Sequence, residues 1–98
     1  MHGGMINRRL TPEGNIKSQI RQYLKMKGWF VVNMMQGPLC HRGIADLYCI
    51  KNGRSVWIEV KTSKGTLSTW QKQFQDDIEE HVGVYIVARS LDDVIEKF

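Results

Sequence analysis

The part of the chain that decides its fold is the fourteen-residue stretch 46–59, which reads DLYCIKNGRSVWIE. Two runs rich in β-branched and aromatic side chains, each alternating between apolar and polar positions, flank the dipeptide Asn52-Gly53. This pattern predicts a β-hairpin with a two-residue turn, in which Lys51 pairs with Arg54.

The predicted register brings acidic side chains together. Counting back along both strands sets Asp46 opposite Glu59, on one hairpin face with Lys61, Tyr48 and Trp57. The alternate positions are apolar and are expected to face the core: Leu47, Cys49, Val56, Ile58 and Val60. Opposed Cβ atoms lie roughly 4.5–5.5 Å apart, and carboxylates that close repel by about 3 kcal/mol at an effective dielectric near 20. A divalent cation would offset this repulsion, whereas the ordinary alternative is a solvated face with surface ion pairs.

The first predicted helix carries an acid within its apolar stripe. Thr11 as N-cap and Pro12 at the first helical position begin the helix, and Gly28 ends it. Glu13 falls within the stripe and is expected to face inward. The alternative is that Glu13 only favours the positive N-terminal end of the helix dipole.

The second predicted helix carries a glutamine in a similar position. It runs from the N-cap Ser68 to about residue 82, and Gly83 ends it. The residues predicted to be buried on this helix are Trp70, Phe74, Ile78 and Val82. Gln71 lies in the same stripe and needs hydrogen-bond partners. It either satisfies a nearby backbone group or points at the acidic pair.

The remaining segments complete the order α-β-β-β-α-β-α. Residues 29–35 are typical of a strand, and residues 84–88 are apolar enough for an interior strand reached by a helical crossover. Ser90 begins a short final helix with a start that resembles a capping box.

Length and composition indicate one compact domain. With 98 residues and 42% apolar content, we expect a single domain over residues 11–98, preceded by a flexible basic arm at residues 1–10. Cys40 and Cys49 lack the spacing of metal ligands, which favours reduced thiols over a disulfide or a zinc site. No apolar run is long enough for a membrane span or a signal peptide, so we expect a cytoplasmic chain.

Charge is divided unevenly along the sequence. Residues 1–64 contain eleven Lys or Arg and three acids, a net +8, whereas residues 65–98 contain three and seven, a net −4. The basic part suits a polyanion such as nucleic acid. Its three acids are Glu13, Asp46 and Glu59, and isolated carboxylates in such a setting are typical of a metal site.

Three motifs carry a family resemblance. GIAD at 43–46, IEVK at 58–61 and STWQ at 68–71, with an acid in the first helix, resemble the PD-(D/E)XK nuclease superfamily, in particular the virus-type replication-repair nuclease module, VRR-NUC. The likeness covers about residues 11–90. Ala45 stands where that family often has proline, and Thr69-Trp70 stand where a Pro-Glu pair is frequent.

The resemblance implies a restriction-endonuclease-like α/β core, with a mixed central sheet flanked by helices, and a metal-dependent DNA endonuclease. Asp46, Glu59 and the Val60 carbonyl would hold Mg²⁺ or Mn²⁺, and Glu13 would complete the shell. Lys61 and Gln71 would join these acids in the catalytic set. Similar stand-alone modules are associated with homodimers that cut four-way (Holliday) junctions, which implies a role in DNA repair or replication in a bacterial or phage-infected cell.

Basic residues outside the motifs are candidates for DNA contacts. The candidates are Arg8, Arg9, Lys17, Arg21, Arg42 and Lys64. A rival interpretation is a non-catalytic nucleic-acid-binding module that retains this fold. An interaction protein that uses Trp29 or Trp57 is a third interpretation, but such tryptophans are more often core residues.

Overall fold

The computed structural model describes residues 11–98, and the predicted element order is confirmed. The elements are α1 (Pro12–Met26), β1 (Phe30–Asn33), β2 (Leu47–Lys51), β3 (Arg54–Val60), α2 (Thr69–Glu80), β4 (Tyr85–Ala88) and α3 (Leu91–Lys97). The four strands form one sheet in the order β1-β2-β3-β4. The pairs β1–β2 and β2–β3 are antiparallel and β3–β4 is parallel, so the sheet is mixed as predicted.

The hairpin forms in the predicted register. Lys51 pairs with Arg54 and, three residues further from the turn, Tyr48 pairs with Trp57. Asn52 and Gly53 have φ values of 52° and 80°, so both turn residues are left-handed, as in a type I′ turn. Asn and Gly tolerate this conformation better than other residues, which is why the sequence signal was reliable here.

The main core lies on the face of the sheet covered by α1 and α3. All five apolar hairpin residues predicted to face inward are fully buried there, together with Ile20, Leu24 and Val94 from the helices. Trp29 closes one end of this core by stacking on Phe98 at a centroid distance of 4.9 Å. The prediction that Trp29 is a core residue is confirmed.

A smaller aromatic cluster lies on the opposite face, beneath α2. Phe74 of α2 contacts Trp57 of β3 edge-on, with ring centroids 5.2 Å apart. Tyr48 lies beside Trp57 at 4.5 Å, and Tyr85 of β4 is buried in the same cluster. The predicted alternative of a fully solvated face is therefore wrong for this part of the sheet.

Strand β4 is reached by the predicted helical crossover, but its predicted interior position is wrong. Within residues 11–98, β4 pairs with β3 alone and forms an edge of the sheet. Its apolar character has another cause: Tyr85 is buried beneath α2, and Ala88 is buried in the main core on the other face. Because helices cover both faces of the sheet, both faces of β4 need apolar residues even though β4 is an edge strand.

The helix starts follow the sequence signals more closely than the helix ends. The Thr11 hydroxyl accepts a hydrogen bond from the Gly14 amide at 2.9 Å, and Gly28 at φ 90° follows the end of α1. Helix α2 ends at Glu80, before the predicted residue 82, and Val82 is 90% exposed instead of buried. Trp70 was also predicted to be buried and is 51% exposed, because only the middle of α2 packs on the sheet.

The start of α3 differs from a capping box. The Ser90 side chain makes no capping hydrogen bond; instead the Asp93 carboxylate accepts from the Arg89 amide at 2.8 Å. Along residues 11–98, no helix is long and apolar enough to cross a membrane. The predicted basic arm at 1–10 lies outside the described residues.

Candidate active site

Glu59 is the most deeply buried charged residue of the described chain. It lies near the end of β3 with only 2% of its surface exposed. Its Oε2 atom accepts a hydrogen bond from Gln71 Nε2 at 3.1 Å and lies 3.8 Å from Lys61 Nζ. Its Oε1 atom is buried without a hydrogen-bond partner. A buried carboxylate oxygen in this state costs free energy unless something else binds it.

Asp46 lies beside Glu59, as the hairpin register predicted. Leu47 pairs with Ile58, so the next step of the register sets Asp46 opposite Glu59. Asp46 Oδ2 accepts a hydrogen bond from the Val60 amide at 2.8 Å, which fixes the orientation of the carboxylate toward β3. The geometry therefore brings two carboxyl groups to one end of the hairpin.

The environment of Glu59 favours its protonated form. Burial and then the nearby charge of Asp46 raise the pKa of Glu59 from 4.5 to about 8. Lys61 opposes this shift, and Glu13 adds to it. In the absence of a bound cation, two neighbouring carboxyls of this kind are stabilised by holding a proton.

Gln71 adopts both roles that its sequence position allowed. The side-chain oxygen Oε1 of Gln71 accepts a hydrogen bond from the backbone amide of Ser68 at 2.9 Å. The Ser68 hydroxyl in turn accepts from the backbone amide of Gln71 at 3.1 Å, and the two bonds form a capping box. The other end of the same side-chain amide donates to Glu59. Since Gln71 accepts at one end and donates at the other, the start of α2 fixes the position of the Glu59 carboxylate.

Lys61 follows directly after β3, where the chain enters a short basic loop. Its backbone amide donates to the Ala88 carbonyl at 3.0 Å, so the strand pairing with β4 continues to this residue. Its side chain is partly buried beside Glu59. Lys61 thus places a positive charge on the same face as the carboxyl pair, as the alternation predicted.

Glu13 does not face inward as predicted. It is exposed in the first turn of α1, because this turn extends beyond the surface that buries Ile20 and Leu24. Its charge still contributes to the raised pKa of Glu59, so it lies in the same electrostatic environment. Within residues 11–98, however, no three His, Cys, Asp or Glu side chains form a cluster that could hold a metal ion by themselves.

The donor set at the hairpin nevertheless fits a hard divalent cation. Two adjacent carboxyl groups and an unpartnered buried oxygen provide oxygen donors of the type that Mg²⁺ and Mn²⁺ prefer. A cation of this type takes one or two protein carboxylates and keeps several waters, so a full protein shell is not required.

Comparison with known proteins identifies the fold. No family model and no curated protein matches this sequence. A solved structure described as a VRR_NUC domain superposes with a TM-score of 0.77 and 18% sequence identity, over 88% of this chain and 92% of that chain. This chain has the VRR_NUC fold. The resemblance drawn from the three motifs is confirmed for the fold, while the chemistry depends on the side chains at the site.

The predicted DNA-contact residues occupy different parts of the VRR_NUC fold. Lys17 and Arg21 lie one turn apart on α1 and are partly buried. Lys64 is exposed in the loop after β3, and Arg42 is exposed in the loop before β2. Arg8 and Arg9 lie outside the described residues.

Three features of this VRR_NUC fold were not found from the sequence. Arg89 Nη1 donates to the carbonyls of Thr62 and Gly65, at 2.7 and 2.6 Å, and so ties the basic loop to the end of β4. These contacts span more than twenty residues and leave no local pattern in the sequence. The Tyr85 hydroxyl is buried without a partner, and burial raises its pKa.

The third feature is the close approach of the loop before β2 to helix α2. Gly43 has φ 76°, and a Cβ there would lie 2.1 Å from the Trp70 carbonyl oxygen. Only glycine fits at this position. A glycine just before the first strand of the hairpin was a signal that could have indicated such a contact.

Proposed function

We propose that this protein is a divalent-metal-dependent endonuclease that hydrolyses DNA phosphodiester bonds. The observation that carries the proposal is Glu59, a buried carboxylate with one oxygen unpartnered, next to a second carboxyl group and a lysine. A buried site of this kind lowers stability, and such costly sites are found where a protein binds a ligand or carries out chemistry. The VRR_NUC fold supports the same interpretation.

The residues that would hold the cation are Asp46, Glu59 and the main-chain carbonyl of Val60. Glu13, which is exposed nearby, would contribute through a water molecule. When bound, Mg²⁺ or Mn²⁺ would polarise the scissile phosphodiester and lower the pKa of a coordinated water.

The chain's own groups would orient the reactants. Lys61 carries a positive charge beside Glu59, where it would position the attacking water and stabilise negative charge that develops on the phosphorane. Gln71 would keep the Glu59 carboxylate in one orientation through the hydrogen bond that joins them. Water would attack phosphorus in line with the leaving oxygen, whose bond to phosphorus breaks as the new bond forms.

The proposed substrate is DNA, with selectivity for branched forms such as four-way junctions. The excess of basic residues before Gly65 suits a phosphate backbone, since Lys and Arg contacts supply most of the non-specific affinity for DNA. A homodimer would supply the two active sites that a two-fold junction requires. We place this activity in DNA repair or replication, in the cytoplasm of a bacterial or phage-infected cell.

The decisive experiment measures cleavage of labelled duplex, flap and four-way-junction DNA, with and without Mg²⁺ or Mn²⁺. We expect cutting only with a divalent cation. Glu59→Ala should abolish it, and Lys61→Met should slow it by roughly 100- to 1,000-fold, as for the loss of one charge-stabilising group. Glu96→Ala and Lys97→Met, which change exposed residues of α3, are the matched controls and should cut at the wild-type rate.

Two outcomes would contradict the proposal. Full cutting by Glu59→Ala would show that the site lies elsewhere. Salt-sensitive DNA binding without cutting in any divalent cation would favour a non-catalytic binding module on the same fold. For the homodimer, light scattering that gives only the 11.4 kDa chain without DNA, and one chain per junction with DNA, would refute it.

A further inference from the structure

Trp70 is a large aromatic residue that lies exposed at the start of α2. Half of its side chain is in contact with solvent, at 51% exposure, although it belongs to the first turn of a helix that packs on the sheet. The guanidinium of Arg42 lies over the indole ring, 4.7 Å from the ring centroid. This arrangement is a cation–π stack on the protein surface.

The stack shares a helical turn with one residue of the candidate active site. Trp70 directly precedes Gln71, whose side chain donates to the buried Glu59 carboxylate. A group that rests on the indole would therefore lie on the same helical turn as the side chain that orients Glu59. The stack and the site share the first turn of α2 as a rigid base.

The loop that carries Arg42 is held against this turn by backbone packing. Gly43 lies so close to Trp70 that the loop passes directly beside the backbone of the helix start. His41, on the other side of Arg42, packs edge-on against Phe74 with ring centroids 5.5 Å apart. Because both neighbours of Arg42 pack against α2, the backbone of Arg42 lies beside the helix start, and its guanidinium reaches the indole.

The chemistry of this surface suits a nucleobase. Flat aromatic rings and arginine planes are the side chains on which proteins stack unpaired bases, and the positive charge attracts the adjoining phosphates. Bases inside a continuous duplex stack on each other and present no free face. An unpaired base, as found in a flap or a single strand, presents one.

We propose that Trp70 and Arg42 form a stacking site for an unpaired nucleobase beside the scissile phosphate, and that this site makes the protein prefer nucleic acid with unpaired bases over continuous duplex. The position of the base relative to the cut rests on the proposed nuclease function. Binding of the base does not require catalysis, so it is measured separately.

The test compares affinities in EDTA, where no cleavage occurs. Fluorescence anisotropy would give the dissociation constants of an oligonucleotide with unpaired bases and of a continuous duplex of the same length. In Trp70→Ala, the ratio of the two affinities should fall about tenfold, as for the loss of one base–aromatic stack. Trp70→Phe, which keeps a flat ring, should keep most of the preference.

Two further variants separate stacking from charge and from general surface effects. Arg42→Lys keeps the positive charge but removes the guanidinium plane, and it should reduce the preference less than Trp70→Ala. Phe30→Ala removes another exposed aromatic ring, on β1 at the end of the sheet where Phe30 pairs with Ile50, and should leave both affinities unchanged.

Either of two results would overturn the proposal. Equal losses of affinity for both nucleic acids in Trp70→Ala would show that the ring does not recognise unpaired bases. A lower melting temperature with both affinities unchanged would show that the Arg42–Trp70 pair only holds the loop on the helix. A wild-type protein that binds unpaired bases through Trp70 but never cuts would refute the nuclease function alone.

Discussion

The two faces of the central hairpin differ sharply in composition although they belong to the same strands. On β3, Val56, Ile58 and Val60 are fully buried beneath α1 and α3. The residues between and after them, Trp57, Glu59 and Lys61, lie on the other face, where aromatic packing gives way to charge.

This difference shows how a small fold can hold a buried carboxylate, which is unfavourable by itself. The positions of Glu59 and Lys61 are set by a strand whose alternate residues are anchored in an apolar core. Burial of these apolar residues stabilises the fold, and this gain offsets the free-energy cost of burying the Glu59 carboxylate on the other face. A substitution on either face should therefore change the stability of the protein or its amide exchange.

The largest effect is expected on the apolar face. Ile58 is fully buried at the centre of the main core, directly before Glu59. Ile58→Ala removes its branched side chain and leaves a cavity, which should lower the free energy of unfolding by about 2–5 kcal/mol. Denaturant unfolding followed by circular dichroism would measure the change.

A matched substitution on the surface calibrates this result. Ile95 on α3 is 43% exposed, so Ile95→Ala should lower the free energy of unfolding by less than about 1 kcal/mol. Equal effects at both positions would mean that β3 does not lie over the core in solution.

On the charged face, a substitution is expected to raise the stability of the protein instead of lowering it. The pKa of Glu59 is raised from 4.5 to about 8, so the folded protein without metal prefers the protonated group. The stability from this preference is fully present below pH 4.5 and is lost as the pH rises toward 8. Glu59→Gln mimics the protonated form and should remove this loss, which amounts to a few kcal/mol.

Thermal unfolding in EDTA across this pH range would show the effect. Above pH 8, Glu59→Gln should melt at a higher temperature than the wild type, and replacing EDTA by Mg²⁺ should raise the melting temperature of the wild type but not that of Glu59→Gln. Glu96→Gln, at an exposed position on α3, is the control and should follow the wild type. A wild-type stability that does not change between pH 4.5 and 8 would refute the raised pKa.

The features that could be predicted from the sequence are those that neighbouring residues determine. The Asn52-Gly53 turn fixes the register, and the register places Asp46 beside Glu59 and Lys61 on the same face. The N-caps of α1 and α2 are also local, because each is a hydrogen bond between residues three apart.

The errors concern how far each helix and its buried side extend. A helical wheel shows which side of α2 faces the sheet, but not that the helix ends at Glu80, before Val82, or that Trp70 in its first turn is half exposed. The same wheel placed Glu13 within the apolar stripe of α1, although Glu13 is exposed in the first turn of that helix. The contacts of Arg89 with the basic loop join distant segments, so no pattern in the sequence indicated them.

The smallest change in stability is expected at the loop that follows Lys61. Arg89 donates to two carbonyls of this loop and is itself exposed, so Arg89→Met should lower the free energy of unfolding by only about 1 kcal/mol. The local effect should be larger, because these two bonds tie the loop to β4. We expect faster amide exchange at residues 62–66 and faster tryptic cleavage after Lys64.

Arg54→Met is the control for this loop. Arg54 is exposed at the hairpin turn, and its guanidinium lies near Trp29, away from the loop. It should leave exchange at residues 62–66 unchanged. If Arg89→Met also leaves that exchange unchanged, the loop is held by the strand pairing at Lys61 alone. The position of the charged residues would then depend on the apolar core beneath β3 and not on Arg89.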